Sequence, residues 1–234
     1  MNFTDRTVMV TGASGNAGRA IGLAFHEAGA NLVLTDRHPE KLEQAFGAGI
    51  ERRLDLGVDL VDPTQVAAAV AAAIERYGRI DVLCNVAGGF RMGEAVHETT
   101  DANWNFLFDI NVRTLLNAVR AVVPGMLAAG GGKIVNVGAF SAQKGAARMG
   151  AYVASKSAVI RLTETMAAEL REKNINVNCV LPTTLDTPEN RAAMPTADFT
   201  RWVAPRDLAH VILFLASQAA RAVHGAAVPV TGLS

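Results

Sequence analysis

Short runs of apolar, β-branched residues alternate along the chain with longer stretches in which apolar residues recur every three to four positions. The short runs predict strands at Thr7–Thr11, Asn31–Thr35, Arg52–Leu56, Val82–Val86, Lys133–Val137, Ile175–Leu181 and Ala227–Val230. The longer stretches predict helices. Ala17–Ala28 places Ile21, Ala24, Phe25 and Ala28 on one face, and Lys41–Phe46 is a short helix. Pro63–Tyr77 is an Ala-rich helix with Asp62 as N-cap and Pro63 at its first position. Asp101–Leu127 reads as one long helix, before a turn at Gly130–Gly132. Gly150–Glu172 and Arg206–Ser217 complete the set. Most strand runs are almost continuously apolar, which fits a sheet covered by helices on both faces. Alternating strands and helices then predict an α/β fold: one doubly wound parallel sheet with right-handed crossovers. There is no repeat, linker or break in composition, so one domain is expected across 1–234.

Composition narrows the class. Half of the 234 residues are apolar, and 22 basic residues balance 22 acidic ones. That excludes a disordered chain and gives no basic footprint for nucleic acid. No window approaches 18 uninterrupted apolar residues, and the first residues do not read as a signal peptide. The expectation is a cytoplasmic protein with no membrane partner. Cys84 and Cys179 lie inside apolar runs and read as small buried residues. The five histidines are scattered without ligand spacing, so no metal site is expected.

Candidate chemistry begins where the first strand meets the first helix, at Thr11-Gly12-Ala13-Ser14-Gly15-Asn16-Ala17-Gly18. Glycines at a strand-to-helix turn let backbone approach a pyrophosphate, whose charge the helix N-terminus favours. Asp36 ends the second strand 18 residues after Gly18. A carboxylate there can accept both ribose hydroxyls of NAD and repels the 2′-phosphate of NADP. Arg37, next to it, could tolerate that phosphate, so NAD is favoured with NADP as the second choice.

Tyr152 and Lys156 stand four apart in a helical pattern and share a face. A nearby ammonium stabilises a tyrosinate, and the pair makes a proton donor and acceptor suited to a carbonyl or an alcohol.

Together these residues resemble the short-chain dehydrogenase/reductase superfamily, over essentially the whole chain. The matching positions are Thr11–Gly18, Asp36, Asp59-Leu60, Asn85-Val86-Ala87-Gly88, Asn111, Tyr152 with Lys156, and Pro182 through Thr187. The resemblance implies a Rossmann-type fold and an NAD(P)-dependent oxidoreductase acting on a small-molecule substrate. In that reading Gly12, Ser14, Gly15, Asn16, Ala17 and Gly18 hold the cofactor's phosphates, and Asp36 and Arg37 meet its adenosine ribose. Asp59 and Leu60 flank the adenine. Asn85, Ala87 and Gly88 support the sheet and line a ribose. Pro182, Leu185 and Thr187 lie at the nicotinamide end. Tyr152 is the general acid/base, Lys156 tunes it and holds the nicotinamide ribose, and Asn111 supports a water in a proton relay. The resemblance also implies a homodimer or homotetramer built on Asp101–Leu127 and Gly150–Glu172, and a substrate lid around 186–204.

Three positions depart from the family pattern. Asn16 replaces a glycine, and tolerates left-handed backbone better than most residues. Val86 replaces an asparagine. Ala139 lies 13 residues before Tyr152, where the family has its catalytic serine. Losing such a donor can cost on the order of 10²–10³ in rate. Ser141, two residues on, points to the same side of an extended chain and is a candidate replacement. The alanine and the run Val180–Arg191, with Met194–Phe199 and Trp202, resemble the dihydropteridine reductase family, which reduces a quinonoid dihydropterin with NADH. A conjugated imine needs no pair of donors around a localised alkoxide.

Two other readings stay open: a ketone or 3-oxoacyl reductase that uses Ser141, and a non-catalytic dinucleotide-binding or regulatory protein. Trp104, Phe106 and Phe108 are expected in the core or an interface. Arg91, Met92, Arg148 and Met149 follow strand ends and are candidates for the substrate side.

Overall fold

The structure, a computed structural model, describes residues 1–47 and 52–234. Seven strands are described: β1 (Thr7–Thr11), β2 (Asn31–Asp36), β3 (Arg53–Gly57), β4 (Val82–Asn85), β5 (Gly132–Val137), β6 (Ile175–Pro182) and β7 (Ala227–Val230). They form one sheet in the order β3-β2-β1-β4-β5-β6-β7, and every pairing is parallel. Eight α-helices join them: α1 (Asn16–Glu27), α2 (Pro39–Phe46), α3 (Pro63–Tyr77), α4 (Asp101–Phe108), α5 (Thr114–Ala128), α6 (Gly150–Leu170), α7 (Pro188–Ala193) and α8 (Pro205–Ala216).

Alternation along β1 explains why both faces need helices. Val8 and Val10 point into one core with Ile21 and Phe25 of α1 and Leu208 and Ile212 of α8. Met9 points into the other with Val122 and Met126 of α5 and Val159 and Ile160 of α6. Each fully buried side chain of this size stabilises the fold by roughly 1.5–3 kcal/mol. β3 is one of the two edge strands and only half-buried, with Arg53 paired to Asp55 at 2.9 Å. That is why its hydrophobic signal is the weakest of the seven. Among the described residues no helix is long and apolar enough to cross a membrane.

The expected long helix over Asp101–Leu127 is divided. A π-helical turn at Asp109–Arg113 separates α4 from α5, and such turns often mark functional positions. Pro124 lies inside α5 rather than at its end. Asp62 caps α3 as its sequence implies, accepting from the backbone N–H groups of Thr64 and Gln65. α2 begins at Pro39, earlier than expected, because proline suits a first helical position. In the 186–204 segment, Thr187 accepts from the Asn190 N–H and starts α7, a helix the polar sequence there does not announce.

Candidate active site

The strand order puts the β1–α1 turn beside the loop after β4, at the point where the sheet's connections reverse direction. Gly12 has φ +62°, and a Cβ on it would lie 2.8 Å from the Ala87 Cα. A Cβ on Gly18 would overlap the Gly12 carbonyl. Both positions therefore exclude a side chain, Gly12 by conformation as well as by space. The Thr11 hydroxyl accepts from the backbone N–H groups of Val86 (3.0 Å) and Ala87 (3.1 Å), tying the two loops together.

Helix α1 starts at Asn16 after Gly15, with no side-chain cap and no acidic residue in its first turn. Its first N–H groups lack a competing side-chain acceptor, and the dipole favours an anion there. Asn16 is an ordinary helical residue, so its tolerance for left-handed backbone, expected to matter, is not used. The positive φ falls on Gly12. The Asn16 amide instead donates to Glu189 of α7 at 2.8 Å, joining the turn to that helix.

One cavity of about 1020 Å³ runs from this turn to α7. At its β2–β3 end lie Asp36, Arg37, Asp59 and Leu60. The Asp36 carboxylate accepts from the Ser14 hydroxyl at 2.6 Å. Arg37 pairs with Asp59 at 3.0 Å, both side chains being exposed. Ala87 and Gly88 line the middle, and Pro182, Leu185 and Thr187 line the β6 side. Asn85 does not line the cavity. It is buried, and its amide donates to the Asn136 side chain at 2.9 Å across the β4–β5 pairing, so its role is to support the sheet.

The cradle fits a dinucleotide: glycines where a Cβ would collide, open N–H groups at a helix start, and a carboxylate at the second strand end. A nicotinamide dinucleotide is the group this donor and acceptor set suits.

Tyr152, Lys156 and Ala139 meet at the C-terminal end of β5, all on the cavity wall. The Lys156 ammonium donates to the Val137 carbonyl at 2.8 Å. Burial pushes Lys156 down to about 8 and the Tyr152 phenol up to about 12. The lowering of Tyr152 expected from its lysine is not found: burial alone sets the direction of its shift. At pH 7 the pair is a neutral phenol beside an ammonium, which is the proton-donating state. The Phe90 ring stands edge-on to Tyr152, centroids 4.8 Å apart.

Asn111 sits in the π-helical turn and is 2 % exposed. Its amide nitrogen donates to the Gly89 carbonyl (3.1 Å) and the Ser155 hydroxyl (3.0 Å), while its oxygen accepts from the Gly89 N–H (2.9 Å). It thus clamps the β4 loop to α6 and makes no hydrogen bond to Lys156. A Cβ on Gly88 would lie 3.0 Å from the Asn111 Oδ1 and 3.1 Å from the Lys156 Nζ, so glycine keeps the space between them clear.

After Ala139 the chain enters a 3₁₀ turn, Phe140–Gln143, rather than continuing extended. The two-residue alternation that would aim Ser141 at the Ala139 side therefore does not apply, although Ser141 lines the cavity. Met92 and Met149 also line it, as expected of substrate-side residues, but the two arginines turn away. Arg91 stacks on Phe106 at 3.7 Å, and Arg148 donates to the Gly93 carbonyl at 2.9 Å. Trp104 and Phe106, expected in a core or interface, are 43 % and 37 % exposed, and Trp104 stacks on Phe108. Phe90 and Phe140 were not indicated by sequence, because an isolated apolar residue after a strand end carries no periodic signal, whereas Ala193 and Met194, at the end of α7, fall within the 186–204 segment.

The model of the short chain dehydrogenase family matches residues 6–198. A 3-oxoacyl-[acyl-carrier-protein] reductase from Thermotoga maritima is 32% identical over 99% of this chain and 98% of its own length. The carveol dehydrogenase structure from Mycobacterium avium, in complex with NAD, superposes with a TM-score of 0.89 at 28% identity, covering 97% of this chain and 96% of that one. Levodione reductase superposes with a TM-score of 0.91 at 30% identity, covering 99% and 98%. The chain belongs to the short chain dehydrogenase family.

Proposed function

We propose that the protein is an NAD(H)-dependent reductase in which Tyr152 delivers the proton to a small conjugated substrate. The observation that carries the reading is the meeting of Tyr152 and Lys156 in one cavity with the glycine turn and Asp36. A bound nicotinamide dinucleotide supplies the hydride. The Tyr152 hydroxyl donates its proton to the oxygen or nitrogen on which negative charge develops. The Lys156 ammonium, cationic at pH 7, stabilises the phenolate left behind. Its Nζ and the Asn111 oxygen border the clear space beside Gly88, which a relay water suits. Asp36 accepts the adenosine ribose hydroxyls, and its charge favours NAD over NADP. The Arg37–Asp59 pair supports the same preference, because it draws the guanidinium away from a 2′-phosphate.

Ala139 leaves Tyr152 as the donor aimed at the reacting atom. That suits a conjugated C=N or C=O system such as a quinonoid dihydropterin, where charge is spread over a ring. A ketone or 3-oxoacyl reductase is the second reading, favoured by the position of Ser141 on the same wall. We further propose assembly into a homodimer or homotetramer through α4–α5 and α6; the exposure of Trp104 and Phe106 on α4 supports this reading.

The test follows NADH absorbance with the dihydropterin and a ketone panel, using the protein and Ser141→Ala. Oxidation with the dihydropterin, unchanged in Ser141→Ala, supports the first reading. Ketone turnover that Ser141→Ala removes supports the second. NADH binding without any turnover favours a dinucleotide-binding, non-catalytic protein.

A further inference from the structure

The charges around the reacting end of the cavity are arranged so that none is offered to a substrate. Among the described lining residues the charged side chains are Asp36, Arg37, Asp59 and Lys156. The first three lie at the β2–β3 end, with Arg37 and Asp59 bound to each other. Lys156 is 5 % exposed and holds the Val137 carbonyl. The lining also includes Phe90, set edge-on to Tyr152, with Met92, Phe140, Met149 and Met194, and its remaining polar members, such as Ser141 and Asn190, are uncharged.

Three arginines adjoin these wall residues in sequence, and each is engaged elsewhere. Arg91, between Phe90 and Met92, lies on the Phe106 ring. Arg148, before Met149, binds the Gly93 carbonyl. Arg191, two residues before Ala193, forks onto Asp186 with contacts of 2.6 and 2.8 Å and packs over Phe199. An anion entering this end would lose water and gain no counter-ion, a strongly unfavourable exchange. Meanwhile four large apolar side chains of the wall stand open: Phe90, Met92, Phe140 and Met194. Thioethers and aromatic rings are the groups that pack against a flat ring.

We propose that the substrate is an uncharged, flat ring compound carrying the reducible C=O or C=N, with no carboxylate, phosphate or sulfonate near the reacting atom. The proposal rests on the reading of Tyr152 as the proton donor and of the Asp36 end as the adenosine site. It deepens that reading by removing anionic sugars and phosphate-bearing acyl carriers whose charge must enter the cavity.

The test uses two ketones of the same ring, acetophenone and 4-acetylbenzoate. Their dissociation constants for the enzyme–NADH complex are measured by NADH fluorescence, in the protein and in Met92→Lys. Met92 is 56 % exposed, so the fold accommodates the lysine. The expected result is binding of the neutral ketone at least a hundredfold tighter, about 2.8 kcal/mol. Met92→Lys should narrow that ratio at least tenfold by improving the anion. Equal or tighter binding of the anion would overturn the proposal. So would a ratio untouched by Met92→Lys, or binding of neither ketone while NADH binds. Absence of NADH binding itself would overturn the underlying reading of the cavity, and the proposal with it.

Discussion

Lys156→Met should make the protein more stable at pH 7 while removing its activity. Lys156 is buried, and the fall from its ordinary 10.5 to about 8 has burial as its largest cause. At about 1.4 kcal/mol per pKa unit, holding the ammonium there costs the folded state about 3 kcal/mol below pH 8. Methionine has a similar length and carries no charge. It forfeits the hydrogen bond to the Val137 carbonyl, which offsets the gain by about 1–2 kcal/mol. The net stabilisation at pH 7 is about 1–2 kcal/mol, or roughly 3–6 °C in Tm for a chain of this length. The pH dependence gives the sharper check. Between pH 8 and 10.5 the unfolded lysine holds its proton while the folded one has lost it, so wild-type stability rises with pH in that window. The advantage of Lys156→Met should therefore shrink by about 2 kcal/mol and vanish near pH 9.5. Urea unfolding at fixed protein concentration, followed by tryptophan fluorescence from pH 7 to 9.5, reads both quantities. A variant less stable than wild type at pH 7, or a difference that does not move with pH, would refute the reasoning.

Other consequences are as direct. Gly88→Ala puts a methyl group between the Asn111 oxygen and the Lys156 nitrogen. It should lower kcat by about 10-fold or more with NADH binding retained, measured by steady-state kinetics and fluorescence titration. Asp36→Ala removes the charge that repels a 2′-phosphate and the acceptor of the Ser14 hydroxyl. The ratio of kcat/KM for NADPH over NADH should rise by about 10-fold or more. Gly18→Ala cannot be accommodated against the Gly12 carbonyl, and should abolish dinucleotide binding in a calorimetric titration. Light scattering should give the mass of a dimer or tetramer, and Trp104→Glu should lower it.

The parts of the fold that were legible in sequence are those whose burial is symmetric. β1, β2, β4, β5 and β6 are buried on both faces and mostly apolar, with Asn136, Asn176 and Asn178 among the buried exceptions, so their runs stand out, and their alternation with helices dictates the parallel sheet. β3 is blurred because an edge strand keeps Arg53 and Asp55. The π-helical turn that carries Asn111 was not read from periodicity, because it spans only five residues between two helical stretches and has no sequence signature of its own. The site was legible where spacing carries chemistry, as in the glycine turn, Asp36 and the Tyr152–Lys156 pair. It was not legible where a side chain's direction decides its role. Arg91 and Arg148 follow strand ends like ligand-binding residues, yet each finds a partner outside the cavity. Asn85 sits in the matching segment, and its amide is used inside the sheet.

The central claim is that this cavity binds NADH and that Tyr152 supplies the proton. The most direct measurement compares wild type with Tyr152→Phe, recording NADH affinity by fluorescence and the rate of NADH oxidation with the best substrate at pH 7. The account predicts unchanged NADH affinity and a loss of at least a hundredfold in kcat, because the ring remains while the proton is gone. A Tyr152→Phe variant that turns over at the wild-type rate would contradict it.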